Sequence, residues 1–385
     1  MNPNKKDIKT GIILSVIFSL FLRLLLAFTG FSLFSIFPKI PLTTVQMDLV
    51  RNIPTDQHDP WYYIVQPLHR FDALWYEEVE KTNYKGEPLT AKFFPLYPWM
   101  VKLITDISPA TFPVAAFFLN TFFTAIAFFL FYYIALTEYN RQAAIRSLVA
   151  YAVFPAAFFF LVPYAEPLFI SFVLISLISA KKGRPFLSSV FAAFATVTKP
   201  YGGALILPLA YIFWKNGEVK NKVPALLFLI LIPLSFILIA RFQDAMTGVP
   251  FIAFKVNSAW SVSLPLPWDP LLSQMKVFLA NPMNLPNDMD FVITAGTITY
   301  LYFSRRRIRR EDWIFLLVFF IVFYFFQYRG YILNGVSRYA LIFFPIFMSM
   351  GRYKPGRFLE IIYAFSSLIL LLIFFVFYAL GFFVA

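Results

Sequence analysis

Asp72, Glu166, Lys199 and Arg338 are the residues whose types and surroundings best suit chemistry. Asp72 lies in His69-Arg70-Phe71-Asp72-Ala73-Leu74-Trp75-Tyr76-Glu77-Glu78, and the segment continues to Phe93-Phe94-Pro95-Leu96-Tyr97-Pro98-Trp99. Acids, aromatics and prolines mixed in this way suit a reaction site lying along a bilayer surface. Glu166 follows Pro163-Tyr164-Ala165, Lys199 sits in Thr198-Lys199-Pro200-Tyr201-Gly202, and Arg338 in Ser337-Arg338-Tyr339. Asn257-Ser258-Ala259-Trp260 and Gln327-Tyr328-Arg329-Gly330-Tyr331 complete the set. The chain has no Cys and two His, His58 and His69, which excludes thiol catalysis, disulfides and zinc-thiolate sites. Acid/base work therefore falls to carboxylates.

The elements that must position these groups are membrane spans. Of 385 residues, 60% are hydrophobic, 21% aromatic and 14% charged, far from the balance of a soluble domain. Apolar runs long enough for roughly 30 Å of hydrocarbon recur along the chain. The first, Gly11 to Phe37, is too long for a signal-peptide core and lacks a small-residue cleavage site, so it is expected to stay as a span. The net charge of +13 is carried by short basic clusters between apolar runs, so anionic headgroups and insertion topology explain it, and no nucleic-acid partner is expected.

Those clusters set a topology. Lys5/Lys6/Lys9, Arg141/Arg146, Lys181/Lys182/Arg184, Lys215/Lys220/Lys222, Arg305/Arg306/Arg307/Arg309/Arg310 and Arg352/Lys354/Arg357 hold 19 of the 33 Lys and Arg and mark inner loops. Threading between them predicts an all-α fold, one integral membrane domain over 1–385 with about eleven spans and an inner N-terminus. The spans are 11–36, 112–136, 147–163, 165–180, 186–199, 201–214, 223–241, 289–304, 312–328, 338–351 and 358–382, the 186–199 and 201–214 pair being short enough to be broken or re-entrant. The segment 38–111 is an outer loop with an interfacial helix from Phe71 to Lys81, ended near Asn83 and Gly86. The polar motifs then collect on the outer side, against the positive-inside trend, as one outward-facing polar site.

Each group also has a plainer role. Asp72 can cap the helix it opens, Glu166 can serve an intramembrane hydrogen bond, and Lys199 and Arg338 can snorkel. Trp75, Tyr76, Trp99 and Trp260 can anchor at the interface. Asp288-Met289-Asp290 has a D-x-D spacing that can hold a divalent ion on a pyrophosphate, and Asp56-Gln57-His58-Asp59 offers oxygen ligands. Helix capping accounts for the first as well and a solvated turn for the second; no metal or other cofactor is expected.

As a set the motifs resemble the PIG-V-like mannosyltransferases, relatives of the enzyme that adds the second mannose of the GPI anchor, in the GT-C class of membrane glycosyltransferases. Phe71-Asp72, Asn83-Tyr84 and Phe93-Phe94-Pro95-Leu96-Tyr97-Pro98 look like the family's W-D or F-D pair, Gly-Tyr-like stretch and F-F-P-x-x-P. Pro155 with Tyr164-Ala165-Glu166-Pro167-Leu168 is similar to N-P-A…Y-S-E-S-L. Lys199-Pro200-Tyr201-Gly202 resembles T-R-P-x-G, and Ser337-Arg338-Tyr339 with Phe344-Pro345 resembles S-x-R-Y…P. The departures are Lys199 for Arg, which loses a bidentate fork, and Ala165 and Pro167 for the two serines.

The resemblance implies a hexosyltransferase that moves a sugar from a polyprenyl-phosphate donor to a lipid or glycan acceptor on the non-cytoplasmic face. Asp72 is then the general base of an inverting attack, which needs no covalent intermediate. Lys199, Arg338 and Arg329 neutralise the leaving phosphate, Tyr164 and Glu166 orient sugar or acceptor hydroxyls, and Trp75, Tyr76 and Trp260 offer stacking faces. Two other readings remain: a transporter or lipid flippase with a midplane site at a broken helix near Lys199, and a lipid-bound ligase joining preformed glycans. No internal repeat supports the transporter, and a purely structural scaffold needs none of the four charged groups.

Overall fold

A computed structural model describes residues 3–37, 61–259, 262–263, 269–280, 285–325, 327–328, 335–353 and 356–382. The fold is helical. The helices of at least 8 residues, numbered in chain order, are α1 Lys5–Ile36, α2 Asp72–Thr82, α3 Leu96–Ile107, α4 Phe112–Glu138, α5 Arg141–Ala152, α6 Glu166–Lys181, α7 Pro185–Thr198 and α8 Ile206–Lys215. They continue as α9 Leu231–Thr247, α10 Ile252–Ala259, α11 Asp269–Ala280, α12 Leu285–Ser304, α13 Arg310–Phe325, α14 Phe344–Arg352 and α15 Arg357–Ala379. Two two-residue strands, β1 Val262–Ser263 and β2 Gln327–Tyr328, pair antiparallel with Val262 opposite Tyr328.

Four segments are long and apolar enough to cross a membrane: α1, α4, Lys222–Thr247, which contains α9, and α15. Their outward faces are apolar, with Phe28 on α1 71% exposed and Phe365 on α15 67% exposed, a surface that suits hydrocarbon rather than water. The architecture is that of a helical membrane protein. These segments coincide with the expected spans 11–36, 112–136, 223–241 and 358–382; the other apolar runs form helices of 9 to 20 residues.

The chain forms two compact units. The first comprises residues 1–82, 97–167 and 350–385, the second residues 83–96 and 168–349. In a bilayer, helices gain little from hiding apolar surface from one another, so association depends on close packing and interhelical hydrogen bonds. The first unit follows that rule. Asn4 caps α1 by accepting the Asp7 N–H at 2.7 Å. On the next turns a Cβ at Gly11 would stand 2.3 Å from the Tyr132 ring, so α1 and α4 approach where no side chain intervenes. Ser19 Oγ donates to the Thr121 carbonyl at 2.8 Å, and Arg23 donates from Nε to Thr121 Oγ1 at 2.6 Å and from Nη2 to the Phe117 carbonyl at 3.0 Å. Arg146 of α5 donates to the Gly351 carbonyl at 2.9 Å, and Tyr363 of α15 to the Ala150 carbonyl at 3.2 Å.

The second unit joins α6 to α7 through Ser176 Oγ, which donates to the Ser188 carbonyl at 2.8 Å. Lys181 Nζ lies 3.3 Å from Glu311 Oε1, and Asn216 Nδ2 satisfies the last carbonyls of α6 at Ala180 and Lys181, at 2.8 and 3.0 Å. Tyr84 Oη donates to the Phe93 carbonyl at 2.7 Å and Gln243 Nε2 to the Ala91 carbonyl at 2.9 Å, so the Phe93-Phe94-Pro95 segment is tied to α9. Burial pushes the Tyr84 phenol well above its ordinary range, which keeps it a neutral donor.

Candidate functional site

In the first unit the backbone itself marks the place. Phe71 has φ +52°, a left-handed conformation unusual for a bulky residue, and α2 starts at the next residue, Asp72. Such a backbone costs about 1–3 kcal/mol and persists only when its surroundings over-determine it. Here two tyrosines do so. Tyr378 Oη of α15 lies 3.0 Å from both the Leu68 and the Arg70 carbonyls, and its ring packs 5.4 Å from that of Phe71. Tyr164 Oη accepts the Asp72 N–H at 3.2 Å and donates to the Arg70 carbonyl at 3.4 Å. Asp72, half-buried, stands in the first turn of α2, where the helix dipole favours its negative charge.

Tyr164 is positioned in turn by Asn120 of α4. The Asn120 amide donates to the Val162 carbonyl and, at 2.9 Å, to the Tyr164 carbonyl, while its Oδ1 accepts from Tyr97 Oη at 2.9 Å. Thr124 Oγ1 adds a bond to the Phe160 carbonyl at 2.9 Å. The turn that ends in Glu166 is thus hung from α4 by side chains. Glu166 opens α6 and is buried. Burial raises the Tyr97 phenol far above its usual range, with the Glu166 charge adding to the effect and Arg23 opposing it, so Tyr97 is electrostatically coupled to both. Tyr76 packs edge-on against Tyr97 at 5.0 Å, and Trp75 is buried beside it in sequence.

The same helix holds an ion cluster. Glu77 Oε2 lies 3.0 Å from His69 Nε2 and its Oε1 2.6 Å from Lys81 Nζ. Burial alone would raise the Glu77 carboxyl, but His69 and Lys81 outweigh it and hold the group below the ordinary carboxylate range. Ala73, Leu74, Trp75, Tyr76, Glu77, Val79 and Glu80 are all buried, so most of α2 is enclosed by protein.

The second unit gathers the other two motifs. α7 ends at Thr198, a 3-10 stretch spans Pro200–Leu205, and α8 resumes at Ile206. Lys199, buried and extended, sits at the break. Gly202 makes the break compact: a Cβ there would fall 2.4 Å from the Thr196 nitrogen and 2.6 Å from the Ala195 carbonyl carbon. Tyr201 Oη lies 3.3 Å from Tyr339 Oη, Arg338 Nη2 donates to Tyr339 Oη at 3.3 Å, and the Tyr339 ring stacks on Phe323 at 4.3 Å. Lys199-Pro200-Tyr201-Gly202 and Ser337-Arg338-Tyr339 therefore meet through their tyrosines.

Asp290 supplies the cap of that second motif. Its buried carboxylate accepts the Gly335 N–H at 3.0 Å and the Ser337 N–H at 2.7 Å, fixing the start of the short helix Val336–Tyr339. The D-x-D acid thus caps a helix some 45 residues further on, not the apolar run it precedes. Among the described residues, no group of three His, Cys, Asp or Glu has the arrangement to hold a metal ion. Arg329, Trp260 and the Asp56-Gln57-His58-Asp59 stretch lie outside the described residues. Asn120, Tyr378 and the capping role of Asp290 escape the sequence because each acts on residues more than 40 positions away; the one local signal is an Asn in the middle of an apolar helix. The chain matches no protein-family model and no curated protein sequence.

Proposed function

We propose that this protein is a multi-span glycosyltransferase of the PIG-V-like, GT-C type, with about eleven spans, that transfers a hexose, by the resemblance mannose, from a polyprenyl-phosphate donor to a hydroxyl acceptor on the non-cytoplasmic face. The carrying observation is the hydrogen bonding of Tyr164 to the backbone at Arg70 and Asp72, which joins the Phe71-Asp72 and Tyr164-Ala165-Glu166 motifs around one strained turn. Strain held by distant side chains supports a chemical role for Asp72 over simple capping, which needs neither. In this reading Asp72 removes the acceptor proton as the hydroxyl attacks the anomeric carbon, and the sugar–phosphate bond breaks with inversion. The donor phosphate leaves neutralised by Lys199, Arg338 and Arg329, while Glu166 orients hydroxyls.

The test is transfer of radiolabelled mannose from synthetic polyprenyl-phosphate-mannose into membrane glycans, native protein against Asp72→Asn at matched expression. Loss of a general base lowers the rate by about 10²–10⁴, and Asn keeps the size and capping ability of Asp. Equal transfer by both proteins removes Asp72 from the chemistry and makes Glu166 the next carboxylate to replace. A second reading, a transporter of lipid-linked sugar, draws on the helix break at Lys199–Leu205, a device that transporters use to expose backbone at a binding site. It gains ground if no polyprenyl-phosphate sugar yields transfer while labelled lipid-linked sugar crosses reconstituted vesicles.

A further inference from the structure

Arg70 is a charged side chain, 4% exposed, that the reading above does not use. Its guanidinium Nε donates to the Ala379 carbonyl at 3.2 Å, at the C-terminal end of α15, and its centre lies 5.4 Å from the Phe34 ring near the C-terminal end of α1. Among the described residues no carboxylate forms an ion pair with it: in the helix that follows, Asp72 stands two residues on without a salt bridge to Arg70, and Glu77 is engaged by His69 and Lys81. Both Nη groups of Arg70 are left without a protein acceptor among the described residues, although a guanidinium carries its donors as a fork matched to phosphate and carboxylate. Its electrostatic neighbours are the Tyr378 and Tyr62 phenols, and although burial lowers it to about 10 it stays fully protonated at neutral pH.

A buried cation that has no counter-ion among the described residues is costly, and only part of that cost is met by one carbonyl at a helix end and an aromatic face. An anion bound from outside the chain would complete the arrangement. The neighbourhood says what kind. The C-terminal turns of α1 beside Arg70 present Phe31 and Ile36 outward, 48% and 70% exposed; Phe37 just past α1 is 55% exposed, and Phe382 just past α15 is 51% exposed. An anion carried on a hydrocarbon chain can lie along such a surface and reach the guanidinium; a free anion gains nothing from it. Asp72 follows Arg70 by two residues, across the strained turn at Phe71.

We propose that Arg70 binds the phosphate group of a polyprenyl-phosphate lipid, on the same turn that carries Asp72. The inference rests on the lipid-linked donor reading and adds a phosphate contact that the sequence motifs do not supply. The experiment is direct binding, without transfer, to the full-length protein in detergent micelles, with undecaprenyl phosphate, undecaprenol and inorganic phosphate as probes. Native protein binds undecaprenyl phosphate at least tenfold more tightly than undecaprenol or inorganic phosphate, and Arg70→Gln loses at least tenfold of that affinity. If Arg70→Gln does not fold, Arg70→Lys, which keeps the charge but not the fork, binds several-fold more weakly.

Unchanged affinity in a folded Arg70→Gln, or in Arg70→Lys where the Gln variant fails to fold, makes Arg70 a C-terminal cap of α15 and overturns the assignment while leaving the donor reading intact. Tighter binding of inorganic phosphate than of the lipid overturns the lipid source. Equal binding of undecaprenol and undecaprenyl phosphate shows that phosphate is not recognised, and absence of any lipid binding by native protein removes both the assignment and the donor reading.

Discussion

The turn at Phe71-Asp72 and the break at Lys199-Pro200 solve the same problem, bending the chain sharply beside a charged residue, by opposite means. The break uses local chemistry. Pro200 cannot continue α7, Gly202 has no Cβ to collide with the Ala195–Thr196 backbone, and Lys199 is left extended between them. At Phe71 nothing local favours the bend: a phenylalanine adopts φ +52° because Tyr164, Tyr378 and, through Tyr164, Asn120 hold the carbonyls and N–H around it from other helices. A break written in glycine and proline survives wherever the residues stand; a bend written in long-range hydrogen bonds exists only in the folded unit. The Phe71 turn is therefore the more fragile of the two, and the one whose geometry reports on tertiary packing.

Gly202→Ala breaks the local solution and has the largest expected effect on stability. Its methyl would stand 2.4 Å from the Thr196 nitrogen, so backbone would have to move by about 1 Å to reach ordinary contact, and overpacking of this kind costs about 1–3 kcal/mol or more. Thermal unfolding in detergent checks it: a Tm within a degree of native means that the break is slack and that Gly202 matters only for sequence resemblance.

The ion cluster on α2 sharpens the comparison through pH. Glu77 is held below the ordinary carboxylate pKa of 4.5, so the stability it lends is fully present above that value and is lost as pH falls through its lowered folded value. Replacing it by Gln removes one member of a largely buried pair whose Lys81 partner is partly solvated, a loss of about 2 kcal/mol at neutral pH, below the 3–5 kcal/mol of a fully buried pair. Native protein and Glu77→Gln should converge in Tm as pH falls from about 5 toward 3. A gap that stays constant over that range would show that the carboxylate charge is not what stabilises the helix.

Tyr164→Phe tests the long-range solution directly. It leaves the half-buried Asp72 N–H without the Tyr164 acceptor and takes a donor from the buried Arg70 carbonyl, a cost of about 1–3 kcal/mol. If the turn presents Asp72 for proton transfer, mannose transfer should fall by more than stability alone explains, with kcat reduced and KM little changed. A purely structural tyrosine lowers the Tm and leaves turnover per folded molecule as it was.

What could be read from the chain follows the same division. Apolar length located α1, α4, the segment containing α9 and α15, because a membrane span is a local property of composition. Turn residues located α2 to within a residue at each end: Phe71–Lys81 was expected and Asp72–Thr82 is found, since Asn83, with φ +50°, stops the helix as an Asn does in the left-handed region. The pairings were hidden. That Asp290 would cap the Arg338 motif, that Asn120 would hang the Glu166 turn, and that α2 would be enclosed on most sides are facts about which helices meet, and residue types alone do not encode them.

The smallest effect separates strain from its supports. Phe71→Gly removes the φ penalty of about 1 kcal/mol or slightly more, but it also deletes a ring that packs on Tyr378 and adds the unfolded-state entropy of glycine. The gains and losses are of similar size, so the Tm should move by only about a degree or two in either direction, far less than for Gly202→Ala. Asn83→Gly, at a left-handed position with an easily tolerated residue, provides the control and should change still less. The informative result is therefore functional: with the strain relieved and stability nearly unchanged, transfer should drop if the fixed turn is what aims Asp72, and a Phe71→Gly protein with native turnover would show that the tyrosine hydrogen bonds suffice to aim it.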